Sequence, residues 1–184
     1  MTATRDADRT PWLPPRWFIH LAWIVHRAIY RLSGGRRGLA VPAGARFGTL
    51  RLHTTGRKSG KRRVAILGYY EDGPNLVTLA MNGWGTAEPA WWLNLMTNPD
   101  ATVDLKGSTR TVRARAASGD ERSRLWARFN EFPGWGRSDV SAYARRRPGE
   151  TAVVVLEPAD RSGDPRAVPA RVDGETRHRS AATR

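Results

Sequence analysis

Residues 49–70 read Thr49-Leu50-Arg51-Leu52-His53-Thr54-Thr55-Gly56-Arg57-Lys58-Ser59-Gly60-Lys61-Arg62-Arg63-Val64-Ala65-Ile66-Leu67-Gly68-Tyr69-Tyr70. Both ends are rich in leucine, β-branched and aromatic residues and read as strands. Between them, five of the seven positions 57–63 are cationic, and Gly56 and Gly60 flank the first pair. The stretch is a basic, glycine-hinged loop joining two strands. Such a loop turns backbone N–H groups and fixed positive charge toward an anion. The competing reading is a solvated hairpin tip, the usual fate of a charge run.

Working outward, further strands are expected at 75–81, 100–106, 109–117 and 151–157, beside those at 49–54 and 62–71. Asp72-Gly73 and Lys106-Gly107 are hairpin turn signals. A short helix is expected over 88–95, with Pro89 near its first turn. Ser118-Gly119-Asp120-Glu121 has the form of a capping box opening a helix through about Phe129. A further helix is expected near 139–146. Antiparallel hairpins with interposed helices argue for an α+β fold built on a small antiparallel β-barrel.

Around this core, residues 1–33 form a polar leader and an amphipathic helix at 16–32. Residues 34–48 are read as a glycine-rich linker, 49–158 as the barrel and 159–184 as a disordered tail with almost no large apolar residues. On the N-terminal helix, Arg16, His20, Arg27 and Arg31 make one stripe against Trp17, Phe18, Ile19, Trp23, Ile24 and Ile29. The run is too short and too charged to span a membrane. It suits a membrane interface, or packing on its own domain or a second subunit.

The chain of 184 residues carries 31 basic and 17 acidic residues, a formal charge of +14. That balance points to an acidic partner without choosing among nucleic acid, anionic membrane and polyanionic small molecule. The absence of cysteine excludes disulfides, thiolate metal sites and cysteine nucleophiles. The four histidines are scattered without metal-ligand spacing. No signal peptide is visible, so a cytoplasmic location is expected. A P-loop and a GxSxG elbow are absent. Tyr69, Tyr70, Trp84, Trp91 and Trp92 interleave with basic residues, which keeps a nucleic-acid-binding barrel in play, although no helix-turn-helix or RNA-recognition motif accompanies them. If the protein is an enzyme, a bound cofactor supplies the reactivity.

An ordered set of motifs carries a resemblance. Residues 54–60, then Asp72-Gly73, then Pro89-Ala90-Trp91-Trp92-Leu93-Asn94-Leu95, then Asn98-Pro99 and Val103, and finally Val155-Leu156-Glu157-Pro158 resemble the deazaflavin-dependent nitroreductase family over about residues 48–158. The resemblance implies a split β-barrel binding coenzyme F420, an 8-hydroxy-5-deazaflavin with a phosphate and an oligoglutamate tail, with flavin mononucleotide second to it. It implies that Thr54, Thr55, Gly56, Arg57, Lys58, Ser59 and Gly60 hold the phosphate, with Lys58 and Arg63 as leading charged contacts. Ala65, Leu67, Met81, Asn82 and Gly83 would border the ring, and Trp91, Trp92 and Asn94 would shape the pocket. The implied activity is F420H2-dependent reduction of a quinone, enone or nitroaromatic acceptor. Nitroreductase-active members place tyrosines around the substrate. Here Gly68, Phe132, Trp135 and Ser138 stand in that region, and Met81 replaces a serine beside the ring, which removes hydroxyl groups. A membrane quinone would suit the amphipathic helix, and a homodimer is a further expectation. The alternatives are a non-catalytic split-barrel module that binds F420 or lipid and the nucleic-acid-binding barrel.

Overall fold

The computed structural model describes residue 25, residues 38–132 and residues 140–159. The helix expected at 16–32, the leader before it and the tail beyond 159 lie outside the described residues, apart from Val25.

Six strands close a barrel: β1 (Gly48–Thr55), β2 (Arg62–Asp72), β3 (Asn75–Leu79), β4 (Asp100–Leu105), β5 (Ser108–Ala116) and β6 (Val153–Pro158). Their order around the barrel is β1-β2-β3-β6-β5-β4, and every neighbouring pair is antiparallel. Closure leaves no sheet edge unpaired. The strand expectations held to within two or three residues at each end. Gly73 (φ 60°) and Gly107 (φ 88°) turn β2 into β3 and β4 into β5.

Alternation along the strands sorts side chains into two cores. Leu50, Leu52, Leu67, Tyr69, Val103, Leu105, Val112, Val154 and Leu156 fill the barrel interior. Each such burial contributes about 1.5–3 kcal/mol. Tyr70, Val77, Val153 and Val155 face outward and meet Leu125, Phe129, Phe132 and Val140 in an outer cluster. Helix α1 (Ala90–Thr97) sits over one end of the barrel and sends Trp92 and Leu95, three residues apart and so on one face, into the interior core. Helix α2 (Gly119–Phe129) buries Leu125 and Phe129 at a spacing of four, and α3 (Val140–Ala144) adds Val140 and Tyr143.

Two expectations need correction. Ser118 precedes α2 with extended backbone but makes no side-chain cap. Glu121, the expected capping partner, instead accepts from Nη1 and Nη2 of Arg115 at 2.6 and 2.7 Å, because a charge-assisted fork outcompetes a single backbone donor. The end of the expected linker is also tied to the barrel. Ala40 bridges to Thr49, and Phe47 stacks on Phe132 with ring centroids 4.3 Å apart. Gly48 is required there, since a Cβ would lie 2.5 Å from Tyr69 Cε1 and 2.8 Å from the Ala40 carbonyl oxygen.

Candidate functional site

The antiparallel register gathers three segments at one end of the barrel. The β1–β2 loop follows Thr55, which pairs with Arg62. Strand β3 runs antiparallel to β2 and leaves the sheet toward the same end, and α1 follows.

The loop is built from its own glycines. Gly56 N–H donates to Lys61 O at 2.9 Å, and Gly60 N–H returns to Gly56 O at 2.8 Å. Gly60 has φ 65°, a left-handed value natural to glycine. A Cβ on Gly56 would sit 3.0 Å from Ser59 Oγ and 3.1 Å from Lys61 O, so the loop is wound tightly about that position. Asn94 of α1 braces it from below. Its Nδ2 donates to Thr54 Oγ1 at 3.1 Å, and its Oδ1 accepts from the backbone N–H of Arg57 at 3.1 Å. Asn94 is 4 % exposed, so this amide is satisfied by the loop rather than by water. The sequence placed Asn94 in the pocket; the structure gives it the task of holding the loop.

Arg57, Lys58, Lys61, Arg62 and Arg63 are exposed. Among the described residues none of them meets a carboxylate. The ion-paired acids take other partners: Asp72 binds Arg124, Glu88 binds Arg147, Asp100 binds Arg113, Asp104 binds Arg51, Glu121 and Glu157 bind Arg115, and Glu150 binds Arg122. Arg63 Nη2 reaches only Ser59 Oγ, at 3.4 Å. Five cations thus stand together on one hydrogen-bonded turn, repelling one another, with no carboxylate among the described residues to compensate them.

Behind the loop, Asp104 on β4 collects Arg51 (Nε to Oδ2, 2.7 Å), His53 (Nε2 to Oδ2, 2.8 Å) and Thr109 (Oγ1 to Oδ1, 3.0 Å). Burial raises the pKa of this carboxyl, but the hydrogen bonds from His53, Arg51 and Thr109 together outweigh it and leave it below the usual carboxylate value. His53 Nδ1 is buried without a hydrogen-bond partner.

The segment after β3 has a different character. Asn82 (φ 47°), Gly83 (φ 60°) and Trp84 (φ 61°) are consecutive left-handed residues. The two non-glycine residues each cost about 1–2 kcal/mol in that conformation. The turn is closed by Trp84 N–H to Met81 O at 2.7 Å and Gly85 N–H to Asn82 O at 3.1 Å. Asn82 Nδ2 donates to Ala87 O at 3.0 Å, and the Trp84 ring stacks on Tyr143. Met81, 36 % exposed, is an apolar side chain left open at this turn.

Of the expected site residues, Thr54, Gly56, Arg57, Ser59, Arg63 and Asn94 are joined by direct contacts, and Thr55, Lys58 and Gly60 share the same loop. Met81, Asn82 and Gly83 form the separate turn. Ala65 is half-buried on β2. Leu67 does not border an open site: it points into the barrel with Leu50 and Tyr69, because strand alternation gives odd positions of β2 to the interior. Trp92 likewise belongs to the interior core, while Trp91 is half-buried against it, the rings 6.3 Å apart and edge-on. Gly68 lies on the outer face, where a Cβ would be 3.8 Å from Phe47. Phe132 does not line a pocket mouth: it is 7 % exposed and stacked between Phe47 and Tyr70, ordinary packing at a helix end. Trp135 and Ser138 lie outside the described residues. Sequence reasoning missed Arg147, whose guanidinium reaches the turn after β3.

Comparison with known proteins gives the family and the fold. The sequence pattern of the family described as F420H(2)-dependent quinone reductase matches residues 23–158. An F420H(2)-dependent quinone reductase of Mycobacterium tuberculosis (strain ATCC 25618 / H37Rv) is 32 % identical over 151 residues, which are 81 % of this chain and 97 % of that protein. Among solved structures, an F420-H2 dependent reductase (FDR-A) aligns with TM-score 0.52 and 24 % identity over 65 % of this chain and 100 % of its own. A chain described as a domain-swapped dimer aligns with TM-score 0.54 and 23 % identity over 75 % of this chain and 99 % of its own. At those identities the two structures speak for the split-barrel fold.

Proposed function

The chain belongs to the F420H(2)-dependent quinone reductase family, and from that premise we propose that the β1–β2 loop holds the anionic tail of F420 while the turn after β3 borders its ring. The protein is an oxidoreductase whose family activity is F420-dependent hydride transfer to quinone-type acceptors. Reduced F420, when bound, supplies the hydride that such an acceptor takes up.

The observation that carries the site reading is the set of five exposed loop cations without a carboxylate partner among the described residues. A phosphate and glutamate tail has the charge to compensate them. Arg57, Lys58 and Arg63 supply donors that match phosphate and carboxylate oxygens, and tight winding about Gly56 keeps the loop backbone close to the ligand. Asn94 fixes the loop so that these groups are ordered before binding, which lowers the entropy lost on association. Met81 and the half-buried Ala65 offer apolar surface to a planar ring. The residues therefore orient the cofactor and withhold water from one side of it.

Two further readings belong to the same proposal. On the sequence reading of residues 16–32 as an amphipathic helix, its tryptophans and its arginines would suit peripheral contact with the cytoplasmic face of a membrane, where a lipid-soluble quinone would be met. Flotation with anionic liposomes should weaken when residues 1–32 are removed. A homodimer is the second reading, and light scattering decides it.

The cofactor assignment is tested by fluorescence titration with oxidised F420 and flavin mononucleotide at several salt concentrations. F420 should bind more tightly, and its advantage should shrink as salt screens the tail. Equal affinity for the two, or F420 binding indifferent to salt, would remove the loop from the site.

A further inference from the structure

Arg147 lies three residues beyond α3 and its side chain is 1 % exposed. The guanidinium spends its donors on four acceptors. Nε donates to Gly85 O at 3.0 Å, Nη1 to Ala80 O at 2.7 Å and to Thr151 Oγ1 at 2.9 Å, and Nη2 to Glu88 Oε1 at 2.7 Å. Three of those acceptors, Ala80, Gly85 and Glu88, bracket the left-handed turn Asn82–Trp84 from both sides. The fourth, Thr151, lies on the approach to β6, and Ala80 N–H donates to the adjacent Ala152 O at 3.0 Å. A planar fork with fixed donor directions holds the two ends of the turn at one separation, which a flexible ammonium does not.

Asn82 and Trp84 are side-chain-bearing residues in a conformation that open loops rarely keep, and such backbone persists only where surrounding contacts over-determine it. Arg147 below the turn, and the Tyr143 ring stacked on Trp84, are those contacts. Glu88 Oε2 is buried with no hydrogen-bond partner, so the carboxylate is committed to Arg147 through its other oxygen.

We propose that Arg147 is a positioning residue for hydride transfer: it holds the turn after β3 in its left-handed form and so sets where Met81, Asn82 and Gly83 meet the deazaflavin ring. The proposal rests on the ring-bordering role given to that turn above. Arg147 does not touch the cofactor; it acts through the backbone it clamps. Misplacing a reacting ring by a fraction of an ångström slows transfer while barely changing an affinity carried by a distant anionic tail. The signature is therefore a change in kcat at nearly constant F420 affinity.

The test uses the full chain with Arg147→Lys and Glu88→Gln. The first readout needs no cofactor: amide hydrogen exchange in the ligand-free protein. The Trp84 and Gly85 amides should exchange at least tenfold faster in Arg147→Lys, while interior amides of β1 and β6 keep their protection. The second readout is steady-state reduction of a soluble quinone by F420H2. For Arg147→Lys, kcat should fall tenfold or more with the F420 dissociation constant within about threefold of the parent. Glu88→Gln, which turns the charge-assisted bond to Arg147 Nη2 into a neutral one and leaves the other three, should fall between the parent and Arg147→Lys and decides the matter if Arg147→Lys does not fold. Unchanged kcat in a folded variant overturns the proposal, as does exchange that quickens uniformly through the barrel. If the unsubstituted protein does not bind F420, the site reading fails instead, and the local exchange at Trp84 and Gly85 still reports whether Arg147 holds the turn.

Discussion

Two arginine-rich segments of this chain look alike in sequence and do opposite things. In residues 57–63 the cations stand exposed on a glycine-wound loop without carboxylate partners among the described residues. In residues 145–147 three arginines run together; Arg145 and Arg146 are exposed, and Arg147 is buried under four hydrogen bonds. The first cluster leaves its charge open to solvent, which is what the proposed tail-binding role requires. The second spends one charge internally to hold backbone in an uncommon shape. The lesson is that a cation's role follows from which acceptors the fold brings to it, not from its local composition.

The contrast breaks most sharply at the buried end. Arg147→Met strands the Glu88 carboxylate and two backbone carbonyls and should cost about 3 kcal/mol in urea denaturation, in the range for removing one partner of a buried pair. A loss no larger than that of an exposed arginine would mean the clamp is decorative. At the exposed end, Lys58→Ala combined with Arg63→Ala should leave stability within about 0.5 kcal/mol. F420 binding should nevertheless weaken by roughly 10- to 100-fold, read by fluorescence quenching, since each lost charge-assisted contact is worth on the order of 1 kcal/mol. Unchanged F420 affinity would sink the tail-binding role.

Asn94→Ala joins the two regimes, because it removes a buried brace beneath the exposed loop. It should cost about 1–2 kcal/mol of stability by leaving Thr54 and the Arg57 N–H without their partner. It should also weaken F420 binding, although Asn94 is satisfied by the protein alone. The smallest effect concerns pH. Asp104 is held below the usual carboxylate value, so its contribution to stability is fully present above about pH 4, the unfolded pKa, and is lost as pH falls through its lower folded value. Asp72, lowered first by its hydrogen bonds from Arg124, adds in the same direction. Denaturation between pH 5 and about 2 should show the decline, and Asp104→Asn should flatten part of it. A pH dependence identical to the parent's would show that the Arg51–His53 cluster contributes nothing to folding.

Much of the fold was legible in the chain. Strand alternation placed all six strands, and Gly73 and Gly107 marked their turns because positive φ favours glycine. The loop at 57–63 was legible as an exposed, basic, glycine-wound turn since its charge and its hinges are local. What was not legible depends on distant chain positions. Leu67 and Trp92, which the family resemblance put at the cofactor, pack in the interior core, because alternation along β2 and the buried face of α1 turn them inward. Phe132 was a candidate for the pocket and is packing, since Phe47, 85 positions earlier (132 minus 47), comes back to stack on it. Glu121 was expected to cap a helix and serves Arg115, because the fold offered it a stronger donor.

By itself, then, the sequence determined the strands, their antiparallel hairpins and an exposed basic loop, since these follow from spacing within a few residues, whereas closure of the barrel rests on the distant pairings of β1 with β4 and of β3 with β6. Only the tertiary structure decided that Asn94 braces the loop, that Asp104 gathers Arg51 and His53, and that Arg147 rather than Arg145 or Arg146 goes inside. Arg147 meets its acceptors across 59 to 67 residues of chain at Ala80, Gly85 and Glu88. A guanidinium is buried only where enough acceptors converge to replace water, and that convergence is a property of the folded barrel rather than of any segment in it.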